Sequence, residues 1–316
     1  MVCVSCNNKN NFRKNIYKTF NRNEEFSIYE CQNCGLGFLH PVINFKNIEN
    51  EYYNKNYHAY QILDNNKSFF RKLKNFIKVN SLEQYLDYGD RKFWKKITYP
   101  FFIRVSFYPR KVINGKFLSV GPGAGQQLVY NKELGWDVYG VDISKMAVEI
   151  AKKRGFNNIF NGTLNEAKFE SDFFDVVDLH HVFEHIGNPI ETLTEIRRIL
   201  KKDGEVIITL PNYSSFSKKV FGKYWGGWDV PRHFFFYSKK TLSKLVERNG
   251  FKVDEVWHSD TFRGISAGLA YLIFRKNARK YEKYFIPFGV FLDLFFDPLL
   301  QKFGSGDQLT IKARKI

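Results

Sequence analysis

The chain has 316 residues, which is long enough for about two domains and a sizeable buried core. Its formal net charge of +17 makes the surface electropositive as a whole, so anionic partners are favoured. No stretch reaches the roughly 18 uninterrupted apolar residues of a membrane-spanning helix, which argues against a transmembrane protein.

Four cysteines stand near the start of the chain in two close pairs, Cys3-x-x-Cys6 and Cys31-x-x-Cys34, and the chain contains no others. Two such turns can bring four thiolates around one zinc ion, whereas disulfides or a redox pair are the alternatives. The first residues are polar and form no apolar leader, which favours a reducing cytoplasm and free thiols. We therefore predict that residues 1–40 form a zinc ribbon whose metal is structural.

Residues 41–115 have a mixed pattern that predicts a helical, basic connecting segment. From Lys67 to Lys116, thirteen lysines and arginines accompany three acidic residues. This basic stripe fits nucleic acid, phospholipid or sugar phosphate, and it equally fits a solvated face.

Beyond residue 115, short β-rich runs alternate regularly with helical patterns. The predicted strands are 116–120, 137–141, 175–179 and 205–210, and the predicted helices are 124–134, 144–154, 189–200 and 239–249. The stops expected after three of these helices are Gly155, Asp203-Gly204 and Asn249-Gly250. The alternation predicts an α/β fold with a doubly wound parallel sheet.

Residues 262–303 interrupt this alternation with two apolar blocks, Ile265–Phe274 and Phe285–Phe296. We predict a helical insertion that packs on the core, lines an apolar substrate pocket or lies in a membrane surface. The alternating run 308–313 predicts a last strand that returns to the sheet.

A glycine-rich loop, Gly121-Pro122-Gly123-Ala124-Gly125, follows the first of these strands and opens a helix. Glycine in this context permits the close approach of a ligand to the backbone at a helix N-terminus. Gln126 occupies the position of the third glycine in a dinucleotide fingerprint, so a dinucleotide is disfavoured. Asp142, at the tip of the next strand, can accept both hydroxyl groups of a ribose.

From about Lys116 to Gly250 the chain resembles the class I S-adenosylmethionine-dependent methyltransferases. Besides the loop and Asp142, the resemblance is carried in order by Phe174–Val177, His181–Pro189, Ile199–Gly204 and Thr209–Asn212. The two cysteine pairs and Pro231-Arg232-His233 further resemble a bacterial subgroup found among cell-surface polysaccharide and sugar-modifying enzymes. The resemblance implies a Rossmann-like, seven-stranded methyltransferase domain over 116–316, with the helical insertion at 262–303.

The resemblance also implies a place for each part of the cofactor S-adenosylmethionine. Gly121, Gly123 and Gly125 would lie under its methionine part, Asp142 would hold its ribose, and Ile143 is also expected to bind the cofactor. Thr163 and Leu164 would meet the adenine, and His180 and His181 would border the sulfonium.

Methyl transfer mainly requires that an attacking atom be aligned with the S–CH3 bond, and a hydroxyl or carbon acceptor also needs a base. His233 is the leading candidate for the base, because it lies in a loop beyond the carboxyl edge of the sheet. His181 is the second candidate. Arg232, suited to a carboxylate or phosphate, and Trp228 are predicted to bind the acceptor.

His181-x-x-Glu184-His185 also matches a zinc-peptidase string, but it directly follows a buried strand, which disfavours a peptidase. Ubiquinone-type O-methyltransferases look similar here and hold a divalent ion with acidic and histidine side chains. The usual reading of Glu184 and His185 is a hydrogen-bonded helix start.

We therefore predict S-adenosylmethionine-dependent O- or C-methylation of a small or lipid-linked saccharide or related metabolite, with an anionic acceptor. A nucleic-acid methyltransferase is the alternative, disfavoured because Leu179–Val182 replaces the Asn/Asp-Pro-Pro-aromatic motif of amino-methylating DNA enzymes. A non-enzymatic zinc-ribbon adaptor is a third reading, against which the intact glycines argue. We expect a cytoplasmic protein, with peripheral contact at the inner membrane face and the oligomeric state left open.

Overall fold

The computed structural model describes residues 1–18, 25–41, 109, 112, 114–259, 263–275, 278, 281, 284–285 and 302–316. The predicted connecting segment 41–115, with its basic stripe, lies almost wholly outside the described residues, and so does most of the second apolar block. The domain boundaries placed at residues 40 and 115 therefore stay predictions.

Strands and helices alternate through the larger part of the chain. The strands are β1 (Phe12–Lys18), β2 (Glu25–Cys31), β3 (Gly37–Leu39), β4 (Lys116–Val120), β5 (Asp137–Asp142), β6 (Ile159–Asn161), β7 (Phe174–His180), β8 (Leu200–Pro211), β9 (Phe235–Phe236), β10 (Phe251–Ser259) and β11 (Gln308–Lys315). The α-helices are α1 (Gln126–Glu133), α2 (Lys145–Lys153), α3 (Pro189–Ile199), α4 (Phe216–Phe221), α5 (Lys239–Arg248) and α6 (Arg263–Phe274). Short 3-10 turns span Phe183–His185, Gly222–Tyr224 and Gly226–Trp228.

The larger sheet contains seven strands in the order β10-β11-β8-β7-β4-β5-β6. β4 pairs in parallel with both β5 and β7, and β5 pairs in parallel with β6. The chain therefore builds outwards from β4 through β5 and β6, and then returns to the other side of β4 with β7. This confirms the doubly wound, seven-stranded α/β fold, in which ligands bind beyond the carboxyl ends of the strands at the point of reversal.

The described residues form two compact units. The first takes in the described parts of Met1–Tyr52, His181–Thr194 and Ile208–Ala313, and the second takes in those of Tyr53–His180, Glu195–Ile207 and Arg314–Ile316.

In the second unit, a capped helix and an apolar cluster fix the loops that follow β4 and β5. The Oγ atom of Ser144 accepts a hydrogen bond from the N–H of Ala147 and so caps α2. The buried cluster beneath α1 and α2 consists of Leu128, Val148, Ala151, Phe156 and Ile159. Gly155 ends α2 with φ at 87°, as its sequence position predicts.

In the first unit, the cysteine-bearing segment forms a four-stranded sheet in the order β1-β2-β3-β9. β1 and β2 form an antiparallel hairpin, and β3 pairs antiparallel with β9, which lies some 200 residues later in the chain. Gly37 is needed at this pairing, because a β-carbon there would lie 3.1 Å from the Tyr213 ring and 3.2 Å from Phe236. The sheet thus joins the N-terminal segment to the loop that contains Arg232 and His233.

Several predicted boundaries differ from the structure. The helix predicted over 189–200 ends at Ile199, and β8 begins at Leu200 instead of residue 205. Asp203 therefore lies inside β8, where its φ of 60° is that of a local irregularity and not of a helix stop. β6, β9, β10 and α4 were not predicted. The last strand, predicted over 308–313, is confirmed as β11.

The first apolar block of the predicted insertion forms most of α6, which has 12 residues. Within the described ranges, no helix is both long and apolar enough to cross a bilayer.

Candidate active site

The glycine loop of the second unit adopts a backbone conformation that residues with a β-carbon disfavour. Gly121, Gly123 and Gly125 have φ angles of 64°, 54° and 80°. The N–H of Gly121 donates to the carbonyl of Val141 at 2.7 Å, and that of Gly125 donates to Pro122 at 2.9 Å. The loop is therefore a tight turn, and it leads directly into α1.

Asp142 ties this loop to the end of β5. Its Oδ2 accepts a hydrogen bond from the N–H of Gly123 at 3.0 Å, and its Oδ1 accepts one from Ser144 at 2.9 Å. Burial raises the pKa of Asp142, and these two backbone donors partly offset the rise. Each carboxylate oxygen keeps a further lone pair, so binding of ribose hydroxyls stays a prediction consistent with this geometry.

The segments after β5 and β6 are joined by hydrogen bonds. The Asn161 amide donates to the carbonyls of Asp142 at 3.0 Å and Ile143 at 3.2 Å. The Ile143 side chain is 44% exposed, which suits contact with a flat apolar ring.

The predicted adenine contacts differ from each other in exposure. The backbone N–H and hydroxyl of Thr163 donate to the Glu166 carboxylate at 2.7 and 2.8 Å. Leu164 is buried and Thr163 is exposed, while His180 is half-buried at the end of β7. The roles of all three stay predictions.

His181, in the first unit, directly follows β7 in the chain and has a φ of 54°. Its Nδ1 donates to Oε1 of Glu184 at 3.4 Å, and its Nε2 accepts from the Gln308 amide at 2.8 Å. Because both ring nitrogens are engaged, His181 can accept a proton only if Gln308 moves away or turns its amide oxygen toward the ring. Its catalytic role stays a prediction.

Glu184 lies at the centre of a buried histidine cluster and is 1% exposed. Burial by itself raises the pKa of Glu184. The hydrogen bond from His181 and the charges of His185, His181 and His233 outweigh this effect and bring the pKa down to about 2. Burial, together with His233, lowers the pKa of His185 to about 4, so this imidazole is neutral at physiological pH. His185 donates from Nδ1 to the Arg232 carbonyl at 2.8 Å.

His233 is 7% exposed, and a hydrogen bond fixes its orientation. Its Nδ1 donates to the carbonyl of Gly227 at 2.8 Å, which leaves Nε2 as the acceptor nitrogen. Oε1 of Glu184 and Oδ2 of Asp229 each lie 3.9 Å from this Nε2. Both carboxylate oxygens therefore lie beside the nitrogen on which a general base would take up a proton.

Arg232 and Trp228, the two residues predicted to bind the acceptor, both interact with other residues of the protein. The Arg232 side chain is 6% exposed and forms an ion pair with Asp229. Trp228 donates from its indole nitrogen to the Gly222 carbonyl at 2.9 Å, and its ring packs 4.9 Å from that of Phe236. Both side chains stabilise the loop that presents His233, and their contact with an acceptor stays a prediction.

Comparison with known proteins shows the family of the chain. The profile of the methyltransferase domain family matches residues 93–256, about half of the chain. The chain belongs to this family. It is an S-adenosylmethionine-dependent methyltransferase, as the resemblance implied.

Curated relatives of this methyltransferase share about half of its length or less. It is 28% identical over 155 residues to the demethylmenaquinone methyltransferase of Thermotoga maritima, covering 48% of this chain and 66% of that protein. It is 31% identical over 116 residues to the mitochondrial ubiquinone biosynthesis O-methyltransferase of Schizosaccharomyces pombe, covering 34% and 42%. An uncharacterized protein of Methanocaldococcus jannaschii is 29% identical over 143 residues, covering 45% and 67%. The chain thus spans about two fifths to two thirds of the length of these relatives.

Among solved structures, a methyltransferase from Archaeoglobus fulgidus superposes with a TM-score of 0.45 at 19% identity, covering 74% of this chain and 98% of that one.

The four cysteines of the methyltransferase converge, and their Sγ atoms all lie within 4.8 Å of one another. Cys3 and Cys34, and likewise Cys6 and Cys31, have Sγ atoms 3.5 Å apart. Four sulfurs at about 2.3 Å from a tetrahedral zinc would be about 3.8 Å apart, so the arrangement fits that ion. The hydrogen bond from Cys3 lowers the pKa of Cys34 to about 5, whereas that of Cys3 is raised.

A second group in the described part of the methyltransferase offers convergent ligand atoms. Glu184, His185 and His233 each present one within 4.8 Å of the others.

Sequence analysis passed over Asp178, Asp229 and Gln308. Asp178 could have been noticed as a lone acid in the apolar run of β7, where a carboxylate is unusual. Asp229 stands only four residues before His233, so its acidic side chain was a local signal, whereas Gln308 gave none, because only the fold brings it to His181.

Proposed function

We propose that the methyltransferase methylates a hydroxyl or acidic carbon of a small or lipid-linked acceptor, with His233 as the general base. The orientation of His233 supports this assignment more than any other feature of the described residues. Its Nδ1 proton is held by Gly227, and its Nε2 is left to accept a proton beside two carboxylates.

S-adenosylmethionine, when bound, supplies an electrophilic methyl group on a sulfonium. The glycine loop and Asp142 would hold it. Nε2 of His233 would take the proton of the acceptor as the acceptor's electron pair forms the new bond to the methyl carbon. Oε1 of Glu184 and Oδ2 of Asp229 would lie beside the imidazolium that His233 becomes when it takes this proton.

Two acceptor classes follow from different observations. The sequence resemblance favours a saccharide or related metabolite, while the printed names of the curated relatives concern quinone biosynthesis. Exposed apolar side chains on α4, Phe216 and Val220, lie in the same helix as Lys219, which supports an acceptor anchored in an anionic membrane surface.

Purified protein should be incubated with S-adenosylmethionine and matched panels of sugar nucleotides, lipid-linked saccharides, demethylated quinones and RNA or DNA. Mass spectrometry would detect the gain of one methyl group. Methylation of nucleic acid alone would overturn the proposal.

His233→Ala should lower turnover by about a hundredfold or more, while the affinity for S-adenosylmethionine stays within about twofold. His40→Ala is the matched control, because His40 is exposed and lies outside the cluster. Unchanged turnover in His233→Ala would move the role of base to His181.

We also propose that the four cysteines bind one structural zinc ion. The convergence of their sulfur atoms supports the site, and amide groups of Asn8 and Asn33 donate to Cys31 and Cys6 at 3.4 and 3.5 Å. Such donors stabilise thiolate ligands.

A further inference from the structure

Asp178 lies buried in β7, and the residues that the structure describes offer it no counter-charge. It is 6% exposed, and its neighbours Val177 and Leu179 are fully buried. Its Oδ2 is enclosed and has no hydrogen-bond partner among the described residues, and no ion pair reaches it from them. Burial raises the pKa of Asp178 to about 7. A buried carboxylate without a partner is costly, so it calls for a cation that binds there.

A second unpartnered polar group stands beside it. Ser119 of β4 is the register partner of Asp178 in the parallel β4–β7 pair, so both side chains point to the same face of the sheet. Ser119 is 1% exposed, and its Oγ also lacks a hydrogen-bond partner in the described part of the chain. The surrounding strand positions, Phe117 and Val176 among them, are apolar.

The pair lies just below the glycine loop. Ser119 precedes the last residue of β4 by one position, and Asp178 precedes the last residue of β7 by two, so both lie within about 7 Å of the carboxyl edge along the strands. Side chains two residues apart in a strand share a face. The two orphaned oxygens therefore lie on one face of the sheet, next to the strand end that carries the loop predicted to hold the methionine part of the cofactor.

We propose that Asp178 and Ser119 bind the α-ammonium group of S-adenosylmethionine. This rests on the methyl donor to which the family assigns the chain, and it adds a subsite to the predicted loop and ribose contacts. An ammonium group carries three N–H donors, which can satisfy the Asp178 carboxylate and the Ser119 hydroxyl together. The sulfonium of the same molecule is cationic but has no N–H, so it would leave both oxygens without a hydrogen bond.

Calorimetry on the full chain can test this with S-adenosylhomocysteine and its deaminated analogue, in which hydrogen replaces the ammonium group. Charge-assisted hydrogen bonds of this kind imply that wild type binds the deaminated analogue about tenfold to a hundredfold more weakly. Asp178→Asn should weaken the binding of S-adenosylhomocysteine by a similar factor and leave the affinity for the deaminated analogue nearly unchanged. Ser119→Ala should likewise weaken the binding of S-adenosylhomocysteine and not that of the deaminated analogue, with a smaller loss of affinity.

Asp175→Asn is the matched control, since Asp175 lies in the same strand but is already paired with Lys201 at 2.8 Å. It should retain the full discrimination between the two ligands. If Asp178→Asn weakened both ligands equally, or neither, the ammonium subsite would be refuted while cofactor binding stood. If wild type bound neither S-adenosylmethionine nor S-adenosylhomocysteine, both the ammonium subsite and the proposed function would be refuted. Thermal unfolding of each variant would confirm that it is folded.

Discussion

Replacing Asp178 by asparagine should stabilise the cofactor-free protein, and the gain should grow with pH. Burial raises the pKa of Asp178 from 3.8 to about 7, so folded protein keeps a proton that unfolded protein releases between these values. The stability linked to this group is therefore fully present below the unfolded pKa and is lost as pH rises through the folded pKa. A difference of about three pH units corresponds to about 4 kcal/mol in total.

Urea unfolding of wild type and Asp178→Asn at about pH 5 and about pH 8, without cofactor, measures this effect. Part of the loss has already occurred at the lower pH, so the advantage of the variant should increase by about 2 to 3 kcal/mol between them. Asp175→Asn should instead be less stable than wild type at both values, because it loses its pairing with Lys201. An Asp178→Asn advantage that does not change with pH would show that the carboxylate is already compensated in the folded protein.

Two further predictions concern the metal and the cofactor loop. Elemental analysis should find about one zinc per chain, and Cys34→Ser should lose the ion. Protein purified without chelator that contains no zinc and four free reduced thiols would contradict this. Gly123→Ala should weaken S-adenosylmethionine binding, since a φ of 54° costs a residue with a β-carbon about 1 kcal/mol or more. Gly135→Ala, with a similar backbone strain at a φ of 89° in the turn after α1, is the control and should leave cofactor affinity unchanged.

The parts of the fold that local signals specify were predictable from sequence. Gly121 to Gly125 and Asp142 stand at a strand end and a helix start, so a few neighbouring residues determine their conformation. β9 could not be predicted, because it has two residues and forms only through its pairing with β3. Likewise, the start of β8 at Leu200 was missed, because Asp203-Gly204 has the local chemistry of a turn although it lies within a strand.

The candidate site was predicted in its residue types more than in its interactions. His233 and His181 were named, but the Gly227 carbonyl that orients the first and the Gln308 amide that occupies the second depend on tertiary structure. Arg232 was expected to meet an acceptor, yet its charge is matched by Asp229, three residues away. Whether a polar group has a partner is a property of the folded chain, and Asp178 could be recognised as unpaired only there.

The pairing of β3 with β9 has a consequence for how the chain acquires its structure. Leu39 donates to the carbonyl of Phe234, and Phe234 donates to that of Glu184, both at 2.8 Å. During synthesis the cysteine segment leaves the ribosome long before these partners exist, so its sheet can be completed only after most of the chain has emerged. Contacts this distant in sequence slow folding. Residues 1–40 are thus made before the 231–237 loop that completes their sheet, and they cannot be exchanged as an independent module without that loop.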